Sequence, residues 1–207
     1  KQGIAKDRLH LTGRPIRQQF LHTPANGKEE TLAILGFDPA ILTIFLQGGA
    51  RGSVGIDQTI KTILAMNVPV QIILAAGNNE ALALRNAGNE NVRVLPFTET
   101  IAPYMAASDV IAGKAGASFI SESFMLEKPF IATACIPAQE TPSLQFIQRY
   151  NLGWVCLDTS ALKRVCVDII NNPDLITEKE PSIRAYKAWN VRANQHIVPL
   201  IDQLLSS

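Results

Sequence analysis

Six short apolar runs punctuate the chain, at 41–46 (ILTIFL), 69–75 (PVQIILA), 91–95 (NVRVL), 109–112 (DVIA), 129–134 (PFIATA) and 153–157 (GWVCL). Each is too short for an independent helix and reads as a strand buried on both faces. Between them lie stretches of amphipathic helical periodicity, at about 54–66, 78–87, 99–107, 117–126 and 142–150. This alternation predicts an α/β fold, a parallel sheet covered on both faces by helices and joined by right-handed crossovers. Ligands of such sheets gather at the carboxyl ends of the strands, near the switch point in strand order.

The flanks of the chain differ. LHLTGRP at 9–15 predicts a short strand running into a turn, and PIRQQF an extended linker. TPANG at 23–27 is turn chemistry, and KEETLAILGF at 28–37 predicts a helix. The tail, 177–205, is helical in pattern, with Pro181 and Pro199 marking breaks or kinks. No internal repeat or low-complexity tract interrupts the chain. One domain with an N-terminal connector and a C-terminal helical extension is expected.

Composition narrows the function classes. A length of 207 residues, 47% hydrophobic, with 18% charged and a net charge of +1, is ordinary for a globular α/β protein. That balance creates no strong field for nucleic acid, and the basic residues are scattered without aromatic interleaving, so no nucleic-acid partner is expected. Cys135, Cys156 and Cys166 lack metal-ligand spacing and sit in apolar contexts, as buried reduced thiols do. No metal site is expected: His10, His22 and His196 match neither metal nor triad spacing. No apolar run is long enough to span a bilayer and no signal peptide opens the chain, so a cytoplasmic location is expected. The start, KQGIAKDRLH, reads as an excised segment.

The chemistry sits in four loops. GKAGASFISE at 113–122 joins an apolar run to a helix start. Free backbone N–H groups and the positive end of the helix dipole converge at such a turn and make a cradle for phosphate. Lys114 is placed either to neutralise that phosphate or to face solvent, and Glu122 falls about two turns in, near a sugar hydroxyl beyond it. QGGARGSVG at 47–55 carries four glycines, which allow close approach of a ligand to the backbone. Its spacing is not that of a dinucleotide fingerprint, nor is there an acid after Ala75-Ala76-Gly77, which disfavours NAD. LPFTET at 95–100 offers Phe97 as a wall for a planar base and backbone around Thr98 to read its edge; taken by itself, Phe97 reads better as core. CIPAQETPS at 135–143 sets Gln139 beside Glu140, which suits sugar hydroxyls or, equally, a solvated turn capping the helix near Pro142. Ser118, Ser121 and Ser123 lack a nucleophile elbow, so serine catalysis is not expected.

Taken together, LTGRPIRQQF, QGGARGSVG, GKAGASFISE and IPAQET resemble, in that order, the motifs of the nucleotide-sugar-binding domain of GT-B glycosyltransferases. Within that fold the chain is most similar to glycosyltransferase family 28, near the monogalactosyldiacylglycerol synthases and processive diacylglycerol glucosyltransferases. The bacterial lipid-linked GlcNAc transferase of peptidoglycan synthesis is a more distant likeness. The resemblance covers about residues 9 to 157. It implies a Rossmann-like six-stranded parallel sheet, with a connector over 1–27, the nucleotide-sugar-binding domain over 28–176 and its helical extension over 177–207.

The resemblance also implies roles. Backbone at Gly116, Ala117 and Ser118 holds the donor pyrophosphate, and Glu122 accepts hydrogen bonds from the ribose hydroxyls. Phe97 and Thr98 frame the uracil, while Gln139 and Glu140 hold hydroxyls of the transferred hexose. Gly48, Gly49 and Gly52 keep the interdomain cleft open. Three positions depart from the pattern: Phe119 stands where relatives commonly carry threonine, Ser143 where asparagine is frequent, and Arg51 where galactolipid enzymes have an acid. The implied activity is inverting transfer of a hexose from a UDP-sugar, without a cofactor, to a lipid such as diacylglycerol. A UDP-GlcNAc transferase to a lipid-linked cell-wall precursor and a non-catalytic nucleotide-binding module are the alternatives. A UDP-sugar 2-epimerase of the same fold would need catalytic acids and a histidine that have no place here. No residue stands out as general base; an N-terminal acceptor domain would supply it, along with any peripheral membrane surface.

Overall fold

The structure is a computed structural model that describes residues 8–22, 24–47 and 55–206, together with Gly3 and Ala5. Its described residues form six strands: β1 (Leu42–Gln47), β2 (Val70–Ala75), β3 (Val92–Leu95), β4 (Val110–Lys114), β5 (Phe130–Ala134) and β6 (Gly153–Val155). All pair in parallel, in the order β3-β2-β1-β4-β5-β6. This is the doubly wound order, and the direction of winding reverses between β1 and β4. The expected Rossmann-like sheet is therefore present, and each predicted strand begins within a residue of its place.

Side chains alternate across the sheet, so one strand feeds two cores. Ile44 and Leu46 of β1 join Ile72 and Leu74 of β2 on one face. Phe45, Ile73, Ile111 and Phe130 face the other way. The first face is covered by α2 (Ile56–Leu64), α3 (Glu80–Asn86) and α7 (Thr159–Asn171). The second carries α1 (Lys28–Ile34), α4 (Ala102–Ala107), α5 (Ala117–Met125), α6 (Thr141–Arg149) and α9 (Glu180–Gln195). Between α7 and α9 lies the short α8 (Asp174–Thr177), and α10 (Ile197–Leu205) ends the fold.

Local chemistry explains where elements stop. α1 ends earlier than its pattern suggests because Gly36 takes φ +67°. Gly36 N–H then donates to Ala33 O (2.9 Å) and Phe37 N–H to Leu32 O (2.8 Å), closing the helix and burying Phe37. In the tail, Pro181 falls in the first turn of α9 and Pro199 in the first turn of α10, where the missing N–H costs no helical bond. The break between these helices is at His196.

One expectation fails and one element was missed. The segment 9–15 is not a strand: it runs irregularly to a 3₁₀ turn at Gln18–Phe20. Its backbone is held by side chains of α9 rather than by a neighbouring strand, with Arg14 N–H donating to Asn190 Oδ1 (2.7 Å). The helix α7 was not expected at all, because its Val165, Val167, Ile169 and Ile170 are residues that favour strands. Asp158 starts it, its carboxylate accepting from Ala161 N–H (2.8 Å).

Candidate functional site

The segments after β1 to β4 line a groove on the side where the connector crosses the sheet. A bulge between Gly113 and Lys114 shifts the pairing with β5 and re-aims the chain into the turn. Gly116 N–H donates to Lys114 O (2.7 Å), and Ile120 N–H is the first to bond back into α5, to Gly116 O (3.0 Å). The amides of Ala117, Ser118 and Phe119 are thereby left without intrahelical acceptors, all at the positive end of the helix.

Phe119 is not a phosphate contact that lost its hydroxyl. Its ring packs edge-on against Phe130 (centroids 5.3 Å apart) and tilts over Phe45 (6.4 Å). Gly113 makes room for it: a Cβ there, at φ +153°, would lie 3.2 Å from the ring. The departure from threonine is a core substitution with its own accommodation. Ser118, one residue earlier, faces outward and accepts from the Arg14 guanidinium (2.5 Å).

Glu122 lies deeper in α5, only 7% exposed. Its Oε1 accepts from Arg17 Nε (2.8 Å), and the Arg17 guanidinium stacks over the buried Phe20 ring at 4.9 Å. Behind Glu122, the Tyr186 hydroxyl donates to Ser121 (2.9 Å), tying α9 to α5; burial holds that phenol above its usual range. Arg17, Ser118, Phe119 and Glu122 line a cleft of about 370 Å³. Arg17 and Gln47 also line a larger one, about 640 Å³, which continues along β2 and β3 to Phe97 and Thr98. The two adjoin at Arg17 and Gln47.

In the larger cleft, Phe97 is 69% exposed, so it forms a wall rather than joining the core. Thr98 shapes the loop: its Oγ1 accepts from Thr100 N–H (3.1 Å) and donates to Thr100 O (3.3 Å). The Gln19 carboxamide accepts from the amides of Ile101 (2.9 Å) and Ala102 (3.0 Å) and donates to Glu99 O (2.8 Å). It thus fastens the connector to the start of α4.

The loop after β5 has two faces. Glu140 turns inward: Oε2 accepts from Ile136 N–H (2.7 Å), and Oε1 pairs with Lys114 beneath Gly116. Both carboxylate oxygens are occupied within the fold, and the pair with Lys114 ties this loop to the turn at Gly116. Gln139 is exposed and forms no hydrogen bond through its side chain among the described residues. Ala138, at φ +64°, makes the reversal between them.

The fold thus gathers Phe97, Thr98, Lys114, Gly116, Ala117, Ser118, Glu122, Gln139 and Glu140 along one edge of the sheet. Gly48, Gly49, Arg51 and Gly52 lie outside the described residues. Sequence reasoning assigned no role to Arg14, Arg17, Gln19 or Gln47. Two arginines spaced around Pro15, directly after a glycine, were the available signal. Among the described residues no helix is long and apolar enough to cross a membrane.

Known proteins share this fold. The processive diacylglycerol beta-glucosyltransferase of Staphylococcus aureus is 28% identical over 180 residues, covering 84% of this chain and 46% of that protein. The chain therefore spans about half the length of the curated relatives it matches. Among solved structures, S. aureus MnaA with UDP superposes with a TM-score of 0.72 at 12% identity, covering 99% of this chain and 55% of that one. Anabaena Alr3699/HepE in complex with UDP and glucose gives 0.61 at 17% identity, with coverage of 89% and 54%. At such identities these superpositions establish the fold, a Rossmann-like half of a GT-B architecture. The glycosyltransferase family 28 C-terminal domain matches residues 43–146, from within β1 through the phosphate turn to within α6. Since that match takes in half of the sequence and the strands that frame the groove, the chain belongs to the glycosyltransferase family 28 C-terminal domains.

Proposed function

We propose that this chain is the donor-binding half of an inverting hexosyltransferase that uses a UDP-sugar and delivers the hexose to a lipid acceptor such as diacylglycerol. One observation carries the reading: two clefts that share Arg17 and Gln47 bring together an exposed aromatic wall at Phe97, an acid at Glu122 and the free amides of α5, an arrangement that suits a base, a ribose and a diphosphate. The diacylglycerol acceptor rests on the S. aureus relative's name, and the UDP donor gains support from relatives solved with UDP.

In this mechanism the acceptor hydroxyl attacks the anomeric carbon from the face opposite the diphosphate. As the new C–O bond forms, the bond from the anomeric carbon to the phosphate oxygen breaks, and its electron pair leaves with UDP. The developing charge falls where the amides of Ala117, Ser118 and Phe119 converge and where the Arg14 guanidinium stands over Ser118. Gln139 is free to meet hydroxyls of the hexose. Glu140 braces the loop through Lys114 and Ile136, which gives it an indirect role in sugar recognition. The base that accepts the acceptor's proton belongs to the half of the full-length protein outside this chain. This chain alone binds donor without turning it over. Titration calorimetry with UDP is the test, and absence of heat at millimolar UDP and millimolar UDP-sugar would sink the reading. A screen of UDP-glucose, UDP-galactose and UDP-GlcNAc then ranks the hexoses.

A further inference from the structure

We propose that Arg17 is a positioning residue for ribose recognition: it fixes the Glu122 carboxylate so that one oxygen serves the nucleoside cleft, and it thereby sets a preference for ribose over 2′-deoxyribose. The inference rests on the donor reading above and adds to it a residue from the connector.

Glu122 has a side chain only 10% exposed, so its charge has lost most of its hydration and needs a partner. Arg17 is that partner, and it engages one oxygen only, donating from Nε to Oε1 at 2.8 Å. Oε2 accepts no hydrogen bond among the described residues and is not fully buried, and Glu122 lines the cleft. The carboxylate is thus held at one end and offered at the other. A vicinal diol is the complementary group, since it donates toward a fixed anionic oxygen.

Arg17 is itself held on three sides, which separates it from an ordinary surface arginine although its side chain is 54% exposed. Its guanidinium lies over Phe20, which is 1% exposed. Three residues before it, Arg14 is pinned through its backbone to Asn190; two residues after it, Gln19 is clamped to the amides of Ile101 and Ala102. The rotamer of Glu122 therefore depends on a connector anchored at both ends. An acid at this depth with no fixed partner would turn toward whatever cation or water lies nearest, and its aim at a diol would be lost.

The test compares UDP with 2′-deoxy-UDP in the wild-type chain and in Arg17→Ala, Arg17→Lys and Glu122→Ala. Calorimetry of the wild type is expected to give UDP a Kd roughly tenfold or more tighter than the deoxy analogue, as a hydrogen bond to a charged acceptor would. In Glu122→Ala that ratio falls to about one to two, and Arg17→Ala matches it, with Arg17→Lys restoring part of the ratio. An Arg17→Ala variant that weakens both ligands by the same factor, keeping the wild-type ratio, overturns the inference: Arg17 would then be a diphosphate contact alone. A wild type that binds both ligands equally overturns it too. No binding of either ligand to the wild type fails the donor reading itself, so the two failures are distinct. Should Arg17→Ala unfold, Arg17→Gln, which keeps the polar reach without the charge, gives the same comparison.

Discussion

At the scale of single residues, Phe119 illustrates how a missing motif residue can mislead. Counted against the motif, it removes a hydroxyl from the phosphate turn. Placed in the fold, it completes an aromatic contact with Phe45 and Phe130 over a glycine that leaves room for it. Phe119→Thr therefore trades core packing for a hydroxyl. Truncating a well-packed ring costs about 3 kcal/mol, and a half-buried one somewhat less. Denaturant unfolding should show a loss of about 2–3 kcal/mol. Calorimetry should show UDP affinity within about threefold of wild type, because amides and not hydroxyls make the turn. A large gain in affinity would mean that the ring obstructs the phosphate after all.

At the scale of elements, period and length were enough to locate the sheet, because strands buried on both faces leave unbroken apolar runs between turns. The alternation with helices gave a parallel sheet, while the strand order, and with it the place where the winding reverses, came from the structure alone. What stayed hidden has a physical cause in each case. α7 carries β-branched residues at Val165, Val167, Ile169 and Ile170, and only burial against α2 and the sheet makes it a helix. The connector looks like a strand locally, while its partners Asn190 and Ser118 are 176 and 104 positions away. Local pattern does not report such pairings. Glu140 beside Gln139 was legible as polar chemistry, but which of the two faces inward depends on Lys114, on another loop.

The same elements carry a pH dependence. Cys156, just beyond β6, and Cys166 on α7 are both buried, and burial pushes their thiols up, to about 11 and about 12. Well below pH 9 both thiols are protonated folded and unfolded, so they add no slope. As pH rises past 9 the unfolded chain releases these protons first, so the fold loses stability progressively up to pH 11–12. Cys166→Ala should shrink the part of the alkaline loss that denaturant melts show between pH 9 and 11. An unchanged alkaline slope would show that the thiols ionise without penalty. In the native chain at pH 8, an alkylating reagent should add one label, at the half-buried Cys135 beside the sugar loop, and reach the other two only on unfolding. Rapid labelling of Cys166 in the native chain would contradict its burial.

For the whole molecule, the decisive contact joins the beginning of the described chain to its last long helix. Asn190 is 1% exposed on α9 and holds Arg14 by both backbone atoms: Oδ1 accepts from its N–H (2.7 Å) and Nδ2 donates to its carbonyl (3.1 Å). Gly13 permits this approach, since at φ +70° a Cβ would fall 2.7 Å from Oδ1. Asn194 adds a second bond to the same carbonyl (3.0 Å). α9 is in turn bound to α5 through Tyr186, which meets Ser121 and packs against Phe124. Connector, α5 and α9 therefore form one body, and the arginines over the groove keep their places only while that body is intact. Asn190→Ala removes a bidentate grip and leaves the Arg14 amide without its acceptor, a loss of about 1–3 kcal/mol. The effect should reach further than stability. With the connector loosened, trypsin should cut after Arg8 and Arg17 several-fold faster while the sheet resists. UDP affinity should fall several-fold as well, although Asn190 lies outside the groove. Faster cleavage with unchanged UDP affinity would separate the connector from the site; a loss of global stability with neither change would mean that Gln19 and Asn194 hold the connector without Asn190.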